Sequence, residues 1–539
     1  MPRAKTLSDV VSPSRRKKSA ARSASAKRAP RAKKKKFPAQ PAEPAAVGTG
    51  MKILFVGSEC APYAKSGGLG DVVAALPKAL RRMGHDARIV LPLYRTIDRV
   101  RYGIEFDRSA CVHMGGGEEQ WVGVYSTKMD GEVPVWFVDC ERFFGRGGIY
   151  DEPSGEYPDN AFRFALLSKA ALQICKDVGF VPDVMHAHDW PTALVPVFLK
   201  TWDRVLSPLS NTASVLTIHN IGYQGKYHAS AFPYIGVGYE HFAPNKFEDF
   251  GGINLLKAGV AFADMLTTVS PTHRAEILTP DGGMGLAPYL NARSGDLVGI
   301  LNGADYEHWN PETDAYIAAR YSSADLSGKA RCKEDLQRRL HLAIDPKVPV
   351  FGIVSRFAQQ KGFGLLMEAL PKALNSMVMQ VAVLGMGDQG TEHFFHWLTA
   401  AYPGRVGSHI GFSVELSHVI EAGSDFFLMP SLYEPCGLNQ MYSMKYGTLP
   451  IVRAIGGLED SVRNYSEWDG GGTGFKFQQP SGSALHDTIG WAVSTWFDRP
   501  QHIAQLRATA MAENFSWENS AREYVAVYEK AMANRRAGG

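Results

Sequence analysis

From residue 51 onward, short runs of β-branched and apolar residues alternate with amphipathic stretches of helical period, the pattern of parallel α/β construction. Residues 52–56 read as a first strand. A helix over about 71–83 follows, with Val72, Val73, Leu76 and Leu80 on one face and Gly84 as its stop. Further strands are expected at 87–91, 181–185, 214–218, 265–269 and 296–301. The alternation then starts afresh, with strands at 348–354, 380–384, 406–410, 425–429 and 448–452, and helical segments such as 365–374 and 439–446 between them. Two consecutive doubly wound units explain this restart better than one large sheet. The division falls near Gly299 to Asp305, and a last helix over 518–533 has the reach to close back over the first unit.

The first fifty residues break the pattern. They hold 14 Lys/Arg against 2 Asp/Glu, a balance of +12; with the whole chain at +4, residues 51–539 carry −8. Ala, Lys, Arg, Pro and Ser dominate this tail, a composition that buries too little apolar surface to offset its ordering entropy, so disorder is expected. Three readings of it stay open: a solvated extension or early start site ahead of Met51, an arm for nucleic acid or another polyanion, and a plastid-type transit peptide. No run approaches the roughly 20 uncharged apolar residues of a membrane helix, so a soluble chain is expected. Cys60, Cys111, Cys140, Cys175, Cys332 and Cys436 stand singly, without CxxC or zinc spacing. Free thiols in a reducing compartment follow.

In open parallel sheets, ligands bind beyond the carboxyl ends of the strands, and the distinctive polar residues fall there. After the first strand comes Lys65-Ser66-Gly67-Gly68-Leu69-Gly70-Asp71, leading into a helix. Its paired glycines let backbone N–H groups approach a phosphate, although the same turn also serves as a plain tight turn, and it is neither Walker A nor GxGxxG. His186-Ala187-His188-Asp189-Trp190 follows the 181–185 strand. Extended chain puts both histidines on one face, which makes a metal pair conceivable, but no third ligand stands at a convincing spacing. Histidines satisfied in the core or at its rim are the plainer reading. Asp189 is placed to accept a sugar hydroxyl, and His219-Asn220 closes another strand.

The second unit supplies cations. Arg356 and Lys361 share the loop after the 348–354 strand and suit a diphosphate leaving group, unless they are solvated surface charges. Glu434-Pro435-Cys436-Gly437-Leu438 opens a helix, where a carboxylate can hold sugar hydroxyls while the helix N–H groups face phosphate; a plain helix-start acid is its alternative. Gly456-Gly457-Leu458 repeats the glycine theme. Six such segments at strand ends on two units mark a cleft.

Together with Tyr223-Gln224-Gly225, Leu301-Asn302-Gly303, Gln360-Lys361-Gly362 and Lys445-Tyr446-Gly447-Thr448-Leu449-Pro450, these segments run in order over residues 51 to about 530. In them the chain resembles the bacterial glycogen synthase and plant starch synthase family. The resemblance implies an α/β fold of GT-B architecture: two Rossmann-like doubly wound domains, 51–298 and 299–517, facing across a cleft. Residues 518–539 would close back on the first domain, and the disordered basic tail 1–50 lies outside the match. It implies a cytoplasmic enzyme that transfers glucose from ADP-glucose to the non-reducing end of an α-1,4-glucan with retention, needing no metal and no other cofactor.

Residue by residue, the resemblance gives Arg356 and Lys361 the diphosphate, Glu434 the hydroxyls of the transferred glucose, His219 the surroundings of the reacting centre and Asp189 the acceptor side. It assigns donor contacts to Lys65, Gly67, Gly68, Asp71, Asn302, Phe412, Leu438, Asn439 and Gly457. Four positions depart from the family's usual residues. Ser66 stands where Thr is common, Phe412 where an aromatic residue (often Tyr) stacks on adenine, Asn439 where Thr or Ile is frequent, and Tyr442 where many retaining GT-B enzymes carry a second Glu. With no second carboxylate, a same-face displacement is expected, with the domains closing over the substrates. The rivals are a UDP-glucose-dependent GT-B enzyme, a non-catalytic glucan-binding scaffold, and a nucleic-acid-binding protein resting on the tail alone.

Overall fold

The computed structural model describes residues 50–152 and 155–538. The readings made for the basic tail over 1–49 lie outside them. The strands of the first body are β1 (Lys52–Val56), β2 (Asp86–Pro92), β3 (Glu105–His113), β4 (Glu119–Met129), β5 (Val133–Asp139), β6 (Val184–His188), β7 (Ala213–Ile218), β8 (Met265–Thr268) and β9 (Leu297–Gly299). They form one sheet in the order β9-β8-β7-β6-β1-β2-β5-β4-β3. All neighbours are parallel except the β5-β4-β3 edge, which is antiparallel. Every residue of β6 and β7 is buried, as strands covered on both faces require.

The second body carries β10 (Val350–Phe357), β11 (Gln380–Gly387), β12 (Val406–Ile410), β13 (Phe426–Met429), β14 (Leu449–Arg453) and β15 (Phe475–Phe477). Their order is β12-β11-β10-β13-β14-β15, parallel throughout. In both sheets the chain begins in the middle, builds one side, then crosses to build the other. The reversal lies between β1 and β6 in the first sheet and between β10 and β13 in the second, and such a switch point opens a crevice at the carboxyl edge.

Three differences from the sequence reading have local causes. Strand β6 starts three residues later than expected, because Pro182 has no N–H for the ladder and Asp183 turns its carboxylate to the Lys52 N–H at 2.7 Å. It therefore runs on through His186 and His188, which sit inside the strand. Strand β10 extends to Phe357, paired with Gly387, so Arg356 lies on a strand and not in the following loop. The β3–β5 meander was not foreseen. Its outer face mixes polar residues with exposed Phe106 and Trp121 and is interrupted by Gly123, with a register shift between Phe106 and Arg108, so no clean alternation marks it.

The helices that matter for the site are α1 (Gly68–Arg82), α2 (Asn160–Val178), α3 (Pro271–Ile277), α4 (Asn439–Lys445), α5 (Gly456–Ser461) and α6 (Trp517–Ala537). Helix α6 returns from the second body to cover the first sheet, burying Tyr524 and Tyr528 completely. Its Arg535 donates to the carbonyls of Leu199 and Ser210 at 3.0 and 2.8 Å. The two crossings between the bodies run side by side, the Ala304 N–H reaching the Phe515 carbonyl at 2.6 Å. A Cβ on Gly303 would lie 2.6 Å from the Trp517 ring, so the crossing admits only glycine there. Among the described residues, no helix is long and apolar enough to cross a membrane.

Tyr528 reaches the buried His186 Nδ1 at 2.9 Å. Tyr528→Phe should cost about 1–3 kcal/mol by leaving that nitrogen without a partner, read from urea unfolding.

Candidate active site between the two sheets

A cavity of about 1080 Å³ opens at both switch points, lined by loops from the carboxyl edges of the two sheets. The first sheet contributes the turn after β1, Asp189 after β6 and His219 after β7; the second contributes Arg356 at the end of β10, Lys361 after it, and the loop between β13 and α4. Lys65, Gly67, Gly68, Asp71, Asp189, His219, Asn302, Arg356, Lys361, Glu434, Leu438 and Asn439 all face this one space. Two expected donor residues do not. Phe412, after β12, is 82% exposed outside the cavity, and Gly457, in α5, packs behind the Cys436 carbonyl.

On the second-body wall, Glu434 is buried and held from two directions. Lys361 Nζ donates to its Oε2 at 2.7 Å and Oε1 at 3.0 Å, and Ser431 Oγ donates to Oε2 at 2.8 Å. A carboxylate this far from water needs such partners. Arg356 is exposed to the cavity with its guanidinium unpaired among the described residues. Lys361 is thus paired with Glu434 at the cavity wall, beside a second cation that has no partner among the described residues. Asn439 is fixed by its own bond to the Val354 carbonyl at 2.9 Å. Asn302 is buried in the wall with its Oδ1 unpartnered among the described residues.

The first-body wall is built on backbone donors. Asp189 adopts φ = 53°, a left-handed conformation that a short Asp tolerates at a strand-to-helix turn and that is otherwise concentrated at functional sites. This aims its Oδ1 at the N–H groups of His219 and Asn220, at 2.7 and 3.3 Å. Burial pushes its pKa up to about 8 against the pull of those two N–H groups. His219 sits beside it with a pKa lowered to about 3 by burial, and is therefore neutral at physiological pH. His186 is the satisfied histidine of the plainer reading, bonding Thr217 at 2.6 Å and Tyr528; His188 Nδ1 meets His219 Nε2 at 2.9 Å, while its Nε2 is buried without a partner among the described residues.

Glu59 was missed in the sequence, and it changes how the glycine turn works. Its buried carboxylate accepts the N–H groups of Ser66 and Gly67 at 2.6 and 3.0 Å, the Ser66 hydroxyl at 2.8 Å and the Tyr150 hydroxyl at 2.7 Å. One of the two glycine amides expected to face a phosphate, that of Gly67, is therefore occupied from behind. The turn instead offers open space in front of Gly67 and Gly68, where a side chain would intrude, and the free start of α1. Lys65 leans on Asp71 at 2.7 Å at the mouth. The signal for Glu59 was an acid directly past a strand end, seven residues ahead of the serine it anchors. Tyr442 is buried away from the cavity, stacked on Trp309 at 4.4 Å. Among the described residues one trio of potential metal ligands occurs, Cys111, His113 and Glu119 on the β3–β4 edge, apart from this cavity.

Two doubly wound sheets that face each other across a cleft, with cations and a buried carboxylate on one wall and polar groups held by backbone and hydroxyl donors on the other, define the class: a GT-B glycosyltransferase. The family comparisons agree. Residues 52–292 match the starch synthase catalytic domain, and residues 337–507 match glycosyl transferases group 1. Glycogen synthase 1 of Geobacter sulfurreducens is 49% identical over 489 residues, covering 90% of this chain and 97% of that protein. Glycogen synthase of Treponema denticola is 46% identical over 493 residues, covering 90% and 99%. The catalytic domain of starch synthase IV from Arabidopsis thaliana, solved with ADP and acarbose, superposes with a TM-score of 0.83 at 33% identity, covering 90% of this chain and all of that one. The chain belongs to the glycogen and starch synthase family.

The Asp189 shift has a pH signature. Its folded pKa lies above the ordinary value of about 3.9, so its contribution to stability is complete below pH ~4 and is lost as pH rises through about 8. The stability of the wild type relative to Asp189→Asn should therefore fall steadily between those limits in denaturant titrations.

Proposed function

We propose that this protein lengthens an α-1,4-glucan, transferring glucose from ADP-glucose to the non-reducing end with retention of configuration. The observation that carries the reading is the second-body wall: Glu434 held by Lys361 and Ser431, beside the unpaired Arg356, at the switch point of a doubly wound sheet. The names of the relatives, and the ADP and acarbose bound to the plant starch synthase, point to the same substrates.

In this reading Arg356 and Lys361 neutralise the charge that develops on the departing ADP. Glu434 accepts hydrogen bonds from the glucose hydroxyls, and Asn302 offers its unpartnered oxygen to the same ring. Gly67 and Gly68 leave room for the donor, with Leu438, Asn439 and the start of α1 around its phosphates. Neutral His219 and the raised Asp189 line the acceptor side. The leaving phosphate takes the proton of the incoming 4-hydroxyl on the face it departs from. Residues 51–298 and 299–517 act as acceptor-side and donor-side domains, and no metal is required, since the cations are side chains.

Purified protein, glycogen and either ADP-glucose or UDP-glucose test this by nucleotide release, with and without a chelator. Release should require glycogen, prefer ADP-glucose and ignore the chelator; preference for UDP-glucose overturns the donor. Arg356→Ala should lower kcat by about 10²–10³, the scale of a lost preorganised donor, and near-normal turnover removes Arg356 from the mechanism.

A further inference from the structure

Beside the cavity, α3 of the first body and α5 of the second meet antiparallel, and each receives a carboxylate from the other at its start. The Thr272 N–H and hydroxyl, opening α3, donate to Asp460 Oδ2 and Oδ1 at 2.8 and 2.7 Å. The Gly456 N–H, opening α5, donates to Glu276 Oε1 at 2.9 Å. First-turn N–H groups lack partners within their own helix and carry partial positive charge, so each carboxylate makes a charge-assisted bond there.

The loop bearing Glu434 is seated on this junction. The Gly457 N–H donates to the Glu434 and Pro435 carbonyls at 3.2 and 3.1 Å. Helix α5 lies so close that a Cβ on Gly456 would sit 1.9 Å from the Glu434 carbonyl oxygen. From the first body, the Ser270 hydroxyl donates to the Pro435 carbonyl at 2.7 Å. Arg453 Nε holds the Ser431 carbonyl at 2.8 Å from within the second body. A residue of the first body thus reaches the Glu434 loop through the Gly456 amide, while neither Glu276 nor Asp460 lines the cavity.

We infer that Glu276 and Asp460 are positioning residues, a reciprocal clasp that sets the Glu434 loop against the first body and fixes how donor-side groups face acceptor-side ones. The inference rests on Glu434 belonging to the donor site. Transfer between groups on two bodies depends on their alignment, and donor binding leans chiefly on groups of the second body. Loss of the clasp therefore lowers turnover more than donor affinity.

The test uses Glu276→Ala, Asp460→Ala and Glu276→Gln in the full chain. In substrate-free protein, hydrogen exchange of the peptides carrying the Thr272 and Gly456 amides should accelerate in the alanine variant of the facing carboxylate. Both alanine variants should lower kcat about tenfold, within the range that small misplacements produce, while KM for ADP-glucose stays within about twofold. Glu276→Gln keeps an acceptor oxygen for Gly456 and should recover most of the turnover. Unchanged exchange, or faster exchange with full kcat, overturns the clasp. So does a loss in Glu276→Gln as large as in Glu276→Ala, which marks general destabilisation. If the wild type uses another donor, the functional reading fails by itself; the exchange result still stands, and the kcat comparison is made with that donor.

Discussion

A parallel strand hands the chain to its neighbour only through a crossover that returns to the same starting edge, so every loop leaving a strand opens on one side of the sheet. Here that constraint operates twice, and the two carboxyl edges face one another. Asp189, His219, Lys361 and Glu434 are far apart in sequence, yet each leaves a strand at the same edge of its sheet and meets the others without any special loop. Placement at the two switch points, β1/β6 and β10/β13, concentrates them in one cavity.

The two walls stabilise buried polarity by different means. On the second body, cations balance the carboxylate: Lys361 holds Glu434. On the first, backbone and hydroxyl groups take that part, around Glu59 and around Asp189. The difference follows from what each wall must leave available. In the function proposed above, a wall that meets a diphosphate can spare Arg356 because Glu434 already has its partner, whereas a wall that meets sugar hydroxyls uses shape and hydrogen bonds.

Much of this architecture is legible in the sequence, because strands covered by helices carry short runs rich in apolar and β-branched residues: 52–56, 214–218 and 406–410 fall where the pattern puts them. Strand-end glycines and charges likewise mark the cavity. The misses share a cause, in that partners distant in the chain changed what a residue does. His186 and His188 follow the end of the expected strand, yet they lie within a strand that runs three residues further, where Thr217, Tyr528 and His219 meet them. Glu59 looks incidental until the turn folds back onto it, and Glu276 and Asp460 are ordinary helix acids until two helices from different bodies meet. Phe412 and Gly457 match family positions but lie outside the cavity in this arrangement, something no linear pattern encodes.

The return of α6 ties the order of synthesis to the order of folding. Trp517, Tyr524 and Tyr528 belong to the core of the first body, yet the ribosome adds them after the whole second body. At translation rates of about 5–20 residues per second, the sheet built from residues 52–299 waits tens of seconds for the helix that covers β7 and β8. Over that interval its apolar face is open to chaperones and to other nascent chains. The first half of the protein is made first and finished last.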